Sequence, residues 1–314
     1  NENIETLLDF VQDIDISEQS VEKEKPIIAS EIKMYQDNAD WQALYLTLNS
    51  LYHHHPIKLD IAGSIKSIYE INRDNLYQYY QTFYHPSNMI LFICGNVKVE
   101  EVSELIINNQ NKKTFSDITK KLVKVNEPTS IVSSELIKKM SINNNKISLN
   151  FKVNEFIMDA FKQDICMDLL MNMLFSEKND FYLDLLNNEK ITAEYYYSYQ
   201  QDQVLNYAFI SFEFVSDDID YLKHYLINFF KQDIATLINK KQFEIAKAKY
   251  IGRFIKLFNN PEAIANTFIS YYFLDYDLFN SLELIKTISF NDIKQVSSLF
   301  NLDNHSFTII KPLE

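Results

Sequence analysis

The stretch from residue 83 to residue 97 decides the fold, and it reads Phe83-Tyr-His-Pro-Ser-Asn-Met-Ile-Leu-Phe-Ile-Cys-Gly-Asn-Val97. Within it, residues 88–94 form an apolar run that ends at a glycine and an asparagine. A short run that is apolar on both faces is typical of a central, buried β-strand. The sequence therefore predicts such a strand at 88–94, with Cys94 inside it as a small buried hydrophobe.

The residues on both sides of this strand, up to residue 110, carry helical patterns and no second strand. Helices are predicted over residues 3–12, after a cap at Ser17 or Ser20, and over 40–52, 74–83 and 99–109. A buried strand needs strands beside it, because it cannot satisfy its own backbone hydrogen bonds. We therefore expect residues 1–110 to be part of a domain that is completed by a missing N-terminal segment or by another chain.

Residues 131–314 contain enough elements for a complete α/β sandwich. Strands are predicted over 146–153, 193–199, 205–215 and 306–310, and the alternation along 146–153 is typical of a half-buried strand. Helices are predicted over 158–175, 181–188, from a cap at 217–218 to about 238, and over 241–258, 262–275 and 291–300. Residues 111–130 are polar and charged and contain Pro128, which predicts a linker. The predicted fold class is α+β, with an incomplete first block at 1–110 and a complete second block at 131–314.

Composition narrows the function classes. The chain has 314 residues and a formal net charge of −13, which argues against nucleic acid or an anionic membrane as the main partner. No apolar run reaches the ~18–20 residues that span a bilayer. Only three glycines occur, too few for a glycine-rich phosphate loop. Cys94 and Cys166 form no Cys-x-x-Cys pair, so a reducing cytoplasm is the expected compartment.

Three glutamates follow the pattern E-x-E-x-x-x-x-x-x-E-[IM], in the segment Glu22-Lys-Glu-Lys-Pro-Ile-Ile-Ala-Ser-Glu31-Ile. This segment resembles the region that follows the inverted zinc motif, H-x-x-E-H, of pitrilysin/insulinase-type metallopeptidases. The run Tyr52-His-His-His-Pro56, the later Gly63, and the 83–97 stretch with its Gly-Asn-Val ending match further patterns of that family. The resemblance covers most of the chain. Within the family, the sequence is similar to a processing-peptidase-like branch of Gram-positive bacteria.

The resemblance implies two related α/β sandwich repeats and a zinc-dependent peptide hydrolysis. It makes Glu31 the third zinc ligand, since a carboxylate completes a site with two imidazoles and leaves one position for water. It makes Glu24, two helical turns earlier, a residue that supports the site. Pro26 lies between them, and a helix that began there would leave Glu24 outside it. The alternative for Glu31 is a solvated helix glutamate.

The two histidine ligands that the resemblance implies are not in this sequence. The six histidines are His53, His54, His55, His85, His224 and His305, and none belongs to an H-x-x-E-H or H-E-x-x-H motif. Three consecutive histidines before a proline cannot all face one metal in an extended loop, so residues 53–55 are interpreted as a loop with partly exposed imidazoles. We expect the chain by itself to be inactive and to hold zinc only weakly.

The second repeat of the family closes over the substrate, often through a pattern L-R-E-x-x-G-L-x-Y. Here the matching segment runs from Leu185 to Tyr195, with Asn187 in place of the arginine and without the glycine. Tyr195 and Tyr197 are candidates for contact with a peptide substrate. The alternative is that these alternating aromatic residues pack along a strand.

Three functional hypotheses remain open at this point. The first is a fragment of a bacterial, cytoplasmic zinc endopeptidase that acts on peptides. The second is a non-catalytic peptide-binding or structural subunit that pairs with a homologous partner. The third is an unrelated α/β protein in which the pattern arises by chance.

Overall fold

The computed structural model describes residues 2–116, 125–192 and 195–313. Within the described residues, six α-helices precede the first strand: α1 Glu2–Gln12, α2 Glu18–Asp37, α3 Ala39–Leu51, α4 Ile65–Glu70, α5 Arg73–Phe83 and α6 Val99–Gln110. The strands are β1 Glu135–Met140, β2 Lys146–Lys152, β3 Tyr195–Asp202, β4 Tyr207–Val215 and β5 His305–Pro312. The remaining helices are α7 Ala160–Phe175, α8 Asp180–Asn187, α9 Ile219–Phe230, α10 Lys240–Leu257, α11 Pro261–Phe273, α12 Ser281–Thr287 and α13 Phe290–Val296. The α+β class is confirmed.

Side-chain caps explain where several helices begin. Asn38 starts α3 by accepting a hydrogen bond from the backbone N–H of Trp41 at 3.0 Å. Asn239 and Gln242 form a reciprocal capping box at the start of α10, with both bonds at 3.0 Å. Such caps satisfy N–H groups that have no partner inside the helix. The predicted boundaries of these helices therefore lie within a residue or two of the observed ones.

The described strands form one sheet with the order β1-β5-β2-β4-β3. β1 pairs with β5 in parallel, and the other neighbours are antiparallel. The sheet has a strand, β1, that the sequence did not predict, because Glu135-Leu-Ile-Lys-Lys-Met140 is too polar to look like one. β4 begins at Tyr207 and not at 205, since Asn206 turns the chain with a φ of 61°.

The two faces of the sheet carry different buried side chains, aromatic on one face and polar on the other. One face carries Phe151 and Phe212. The Phe151 ring packs edge-on against Phe212 and against Phe230 of α9, and the Phe212 and Phe230 rings pack at a tilt. The opposite face of β2 carries Ser148, Asn150 and Lys152, all buried. β2 was predicted to be half-buried and is in fact covered on both sides, because α3 packs on its polar face.

Hydrogen bonds hold α3 on this polar face. The Thr47 hydroxyl lies 3.1 Å from the Thr308 hydroxyl, and the Asn150 amide donates to Thr308 Oγ1 at 3.1 Å. Ser211 donates to Asn150 Oδ1 at 2.7 Å. Buried polar groups are tolerated when they are bonded in this way, so the sequence can place serine, asparagine and threonine inside the molecule.

The predicted central strand at 88–94 is wrong for this chain. The segment is extended at Met89, with φ −125° and ψ 154°, but residues 89–94 join no strand ladder among the described residues. Met89 and Leu91 are 38% and 40% exposed. Cys94, which we expected to be buried, is exposed. The physical reason is that no described strand lies on either side of the segment to cover it.

The chain repeats one order of elements. Helices α2 and α10 begin at residues 18 and 240, and α3 and α11 begin at residues 39 and 261, so both pairs are 222 positions apart. A short helix, another helix and an extended segment follow in each case, and the extended segments are 89–94 and β5. This shared order supports the two related repeats that the family resemblance implies, and it makes 89–94 the counterpart of β5.

The chain divides into two compact units. One unit comprises Asn1–Met34, Ile61–Val123 and Asn260–Ile269, and the other comprises Tyr35–Asp60, Lys124–Asn259 and Ser270–Glu314. The sheet belongs to the second unit, and within the first unit the Phe92 and Phe268 rings stack at 4.2 Å. Part of the predicted linker, 117–124, lies outside the described residues, so the boundaries predicted from sequence stay a prediction.

Candidate functional site

Helix α2 carries both glutamates that the sequence singled out. It starts at a Ser17 cap, whose hydroxyl accepts from the Ser20 N–H at 3.0 Å. Its apolar side chains Val21, Ala29 and Ile32 are buried, at spacings that define one face of a helix. Glu24 and Glu31 are exposed and, being seven residues apart, they lie on the same side of α2.

Pro26 lies inside α2 and does not start it. A proline inside a helix removes one backbone hydrogen-bond donor. The carbonyl of Pro26 itself accepts a hydrogen bond from the Ser30 hydroxyl at 2.9 Å. Because the helix begins eight residues earlier, at Glu18, Glu24 shares a continuous helix with Glu31. Pro26 therefore does not place Glu24 outside the helix.

The described residues do not form a complete metal site. Over residues 2–116, 125–192 and 195–313, no group of three or more histidine, cysteine, aspartate or glutamate side chains could hold a metal ion. A catalytic zinc site takes three protein ligands. Glu31 offers one carboxylate, so the residues that the structure describes do not fit a zinc ion by themselves.

An apolar cavity of about 310 Å³ lies beside Glu24. Apolar side chains line most of it: Ile16, Val21, Ile28, Ile68, Ile71 and Leu76. Ser20, Glu24 and Lys25 also line it. A mostly apolar cavity with a few polar groups is typical of a ligand pocket.

All three consecutive histidines donate backbone hydrogen bonds to one carboxylate. The Glu127 carboxylate accepts hydrogen bonds from the N–H groups of His53, His54 and His55 at 2.7, 2.7 and 2.8 Å. The predicted exposure is correct for part of the loop, since His54 is exposed and His53 is half-buried. His55 is only 5% exposed, and its Nε2 lies 2.8 Å from the Leu205 carbonyl.

Sequence reasoning missed Glu127, which lies in the predicted linker. Its carboxylate also accepts from the Lys152 ammonium at 2.7 Å, and the two side chains are 7% and 2% exposed. Lys152 donates further to the carbonyls of Pro128 and Ser130. Burial raises the pKa of Glu127, but the Lys152 ammonium and the backbone N–H groups outweigh it and hold the pKa at about 2. Nothing in the local sequence marks this glutamate.

The two candidate tyrosines of β3 differ in accessibility. Tyr195 is 7% exposed, and its ring stacks against Phe214 at 5.1 Å and Tyr182 at 5.4 Å. Burial raises its pKa well above the ordinary value. Tyr197 is half-buried, and burial also raises its pKa. This geometry favours packing for Tyr195, while substrate contact by either residue stays a prediction.

In the segment that matches the family's arginine-containing pattern, α8 ends at Asn187 and the chain turns over residues 188–190. Glu189 has a φ of 55°, a conformation that favours glycine and costs other residues about 1 kcal/mol. Residues 193 and 194, which were predicted as the start of the strand, lie outside the described residues. Asn187, the last residue of α8, stands where the family pattern has an arginine, and the nearby cation Lys190 is paired with Asp218 at 3.0 Å.

A second feature that sequence reasoning missed is the carboxylate of Asp164 on α7. Burial raises its pKa, with a further contribution from the like charge of Asp168, to about 6. Asp168 is paired with Arg253 at 2.9 Å, whereas no hydrogen bond or ion pair of Asp164 occurs in the described part of the chain. The spacing of four residues between the two aspartates was the only sequence signal.

The fold and the carboxylates of α2 define a class of protein, the two-repeat α+β chains related to zinc metallopeptidases. A family profile described as the Peptidase M16 inactive domain matches residues 70–250. The chain belongs to this M16 family, which is the pitrilysin/insulinase-type family. No described helix is both long and apolar enough to cross a membrane.

Individual relatives agree with this assignment. An uncharacterized zinc protease of Bacillus subtilis, YmfH, is 36% identical over 298 residues, which are 94% of this chain and 69% of the relative. A probable mitochondrial-processing peptidase subunit beta of Arabidopsis thaliana is 27% identical over 136 residues, 43% of this chain and 26% of that one. A crystal structure of an M16-like peptidase from Alicyclobacillus acidocaldarius has a TM-score of 0.90 and 27% identity and covers 99% of this chain and 75% of its own.

Proposed function

We propose that this chain is part of a zinc-dependent endopeptidase that acts on peptides, in which Glu31 is one zinc ligand and Glu24 supports it. The single observation that carries the proposal is the placement of Glu24 and Glu31 on the same exposed side of one helix, at the spacing of the family pattern. The two histidine ligands then come from residues outside this sequence. By itself the chain does not cleave peptides, because one carboxylate does not hold a catalytic zinc ion.

The unpaired segment 89–94 supports the same proposal. Its counterpart in the second repeat, β5, is paired with β1 on one side and with β2 on the other. Segment 89–94 has the same place in its repeat and no ladder in the described residues. We propose that strands from outside this sequence pair with it and bring the histidine-bearing helix close to α2.

A complementation experiment tests this proposal. The chain is mixed with a separately produced segment of an M16 relative that carries H-x-x-E-H and its adjoining strands, and zinc content and cleavage of a quenched-fluorescent peptide are measured. We expect one zinc ion per complex and measurable cleavage. Glu31→Gln should abolish both, and Glu24→Gln should weaken zinc affinity by about 10–100-fold, as loss of a supporting group does.

The matched control is Glu18→Gln, which removes an equally exposed carboxylate from the start of the same helix. It should leave zinc content and cleavage unchanged. Full zinc binding and cleavage by a complex that carries Glu31→Gln would contradict the proposed role of Glu31.

A second candidate function is a non-catalytic subunit that binds peptides or pairs with a homologous partner. The observation that favours it is Asn187, which replaces the arginine of the family pattern, and one relative is named as a subunit of a processing peptidase. If the complemented chain forms a stable complex that binds peptide without zinc, this second function is supported and the first is contradicted.

We propose a reducing cytoplasm of a bacterial cell as the compartment. The support is that Cys94 and Cys166 are both free thiols. Secretion of the protein with Cys94 oxidised would contradict this assignment, and fractionation of cells with a thiol-reactive label measures it.

A further inference from the structure

One helix cap aligns the two repeats residue by residue. Asn38, just before α3, accepts a hydrogen bond from the backbone N–H of Trp41 at 3.0 Å. Asn260, just before α11, accepts one from the N–H of Ala263 at 3.2 Å, so the same cap occurs 222 positions later. A side-chain cap defines the residue at which a helix begins. Each residue of α2 therefore corresponds to the residue 222 positions later, in α10.

The proposed zinc-ligand position of the first repeat corresponds to an arginine in the second. Ile32 of α2 and its counterpart Phe254 of α10 are both buried, which agrees with this register. The residues just before them, Glu31 and Arg253, are both exposed. A carboxylate in α2 is thus replaced by a guanidinium in α10, and the charge is reversed at the position where the proposed function needs a metal ligand.

Arg253 lies beside a pair of aspartates on helix α7. α10 packs against α7, and the Arg253 guanidinium pairs with Asp168 at 2.9 Å. Asp164 lies one helical turn before Asp168 and is half-buried. Burial chiefly raises the pKa of the Tyr250 hydroxyl, the two aspartates raise it further, and Arg253 lowers it. The two acids of α7 and the cation of α10 therefore surround one tyrosine.

The two acids of α7 have the spacing of the family's metal-binding histidines. Residues 164–168 read Asp-Ile-Cys-Met-Asp, and the histidines of H-x-x-E-H are likewise four residues apart, on one side of a helix. Met167 stands where that motif has its glutamate, and its fully buried thioether cannot act as a base. In the part of the chain that the structure describes, these side chains form no metal site. The helices thus have the layout of a metal site with side chains that do not fit a metal ion.

We propose that Asp164, Asp168 and Arg253 are the second repeat's counterpart of the zinc site, with the Arg253 guanidinium in the place of the metal ion. The inference rests on the proposed role of Glu31 and extends it to the other repeat. A guanidinium keeps its positive charge at every pH that the protein meets. It therefore pairs with the acids of α7 permanently and keeps divalent cations out of the second repeat.

The first arm of the test changes Arg253 alone. Arg253→Glu places a third carboxylate beside the two aspartates, and carboxylates are ligands that suit Mn²⁺. The matched control Arg253→Gln removes the same cation and adds no carboxylate. At pH 8, we expect Arg253→Glu to bind one Mn²⁺ ion at least about tenfold more tightly than Arg253→Gln or the chain with Arg253 intact. Electron paramagnetic resonance of the free ion measures this, and equal binding by the two variants overturns the proposal.

The second arm builds a zinc site at the same place. The variant Asp164→His/Asp168→His/Arg253→Glu has two imidazoles four residues apart on α7 and a carboxylate on α10. Its control, Asp164→His/Asp168→His/Arg253→Gln, differs only in the third ligand. We expect the first variant to bind one zinc ion at least about tenfold more tightly than the control, in competition with a zinc-chelating dye.

Urea unfolding checks that each variant is folded. A folded variant with all three zinc ligands that binds zinc no better than its control overturns the proposal. If either triple variant does not unfold cooperatively, the comparison of Arg253→Glu with Arg253→Gln decides.

Every protein in both arms also carries Glu31→Gln, so that position 31 does not contribute to metal binding. Neither arm needs the added segment or the peptide cleavage of the complementation experiment. Failure of the complementation experiment contradicts the role of Glu31, whereas failure of these two arms contradicts only the counterpart in the second repeat.

Discussion

At the scale of single residues, two acidic side chains of the second unit, Glu127 and Asp164, have opposite electrostatic environments. Glu127 receives an ammonium and three backbone N–H groups, so its ionised form is stabilised inside the protein. Asp164 has no such partner in the described ranges, and its ionised form is destabilised. These opposite environments give opposite dependences of stability on pH.

The Glu127 variant tests the first environment. Glu127→Gln should lower the free energy of unfolding at pH 7 by about 3 kcal/mol, because it leaves the Lys152 ammonium buried without a counter-charge. Urea unfolding followed by circular dichroism measures this loss. Since the pKa of Glu127 is lowered from 4.5 to about 2, the difference from the unchanged protein should shrink as the pH falls through that range.

The double variant Glu127→Gln/Lys152→Met is the control for Glu127. It removes both charges and should recover part of the lost stability, as replacement of a buried ion pair by apolar groups does. A single variant as stable as the unchanged protein at pH 7 would show that the histidine loop does not depend on this carboxylate.

Asp164→Asn should have the opposite effect. The pKa of Asp164 is raised from 3.8 to about 6, so the folded protein holds this proton more tightly and loses stability as the pH rises from 4 to 6. The asparagine variant avoids that loss and should be more stable by about 2 kcal/mol at pH 7.5. Urea unfolding should show the gain at pH 7.5 and little difference at pH 4; a destabilised variant at pH 7.5 would refute the assigned burial.

At the scale of elements, the sequence predicted helices better than strands. Periodic apolar positions and capping residues mark α1, α2, α3, α5 and α6, and these helices lie close to the predicted ranges. β1 was missed because its lysines make the segment look polar, although they suit an edge strand. β2 was predicted as half-buried because polar residues alternate along it, but α3 covers those residues. A strand's environment depends on partners distant in sequence, which local periodicity does not report.

Segment 89–94 shows the same dependence. Its apolar sequence predicted neighbouring strands, but the described residues provide none, and Met89, Leu91 and Cys94 are exposed. We expect the amide protons of 89–94 to exchange with deuterium at least about a hundredfold faster than those of β5, since only β5 is bonded on both sides. Hydrogen-exchange mass spectrometry measures both in one sample, and equal protection would mean that the segment is paired after all.

At the scale of the whole chain, the sequence predicted the family more fully than it predicted the environments of individual residues. The glutamate pattern and the 83–97 stretch were specific enough to indicate the M16 family, which the profile match and the relatives confirm. Glu127 and Asp164 were not predicted, because their environments arise from residues brought together by folding. The continuous α2 across Pro26 also needed the structure, since a proline alone suggests a helix start.

The central proposal is that this chain carries one zinc ligand and needs the others from outside. The most direct measurement is cleavage of a quenched-fluorescent peptide by the purified chain alone, with one equivalent of zinc, beside its Glu31→Gln variant. We predict that neither protein cleaves the peptide faster than buffer. Cleavage by the unchanged chain that disappears in Glu31→Gln would contradict the proposal.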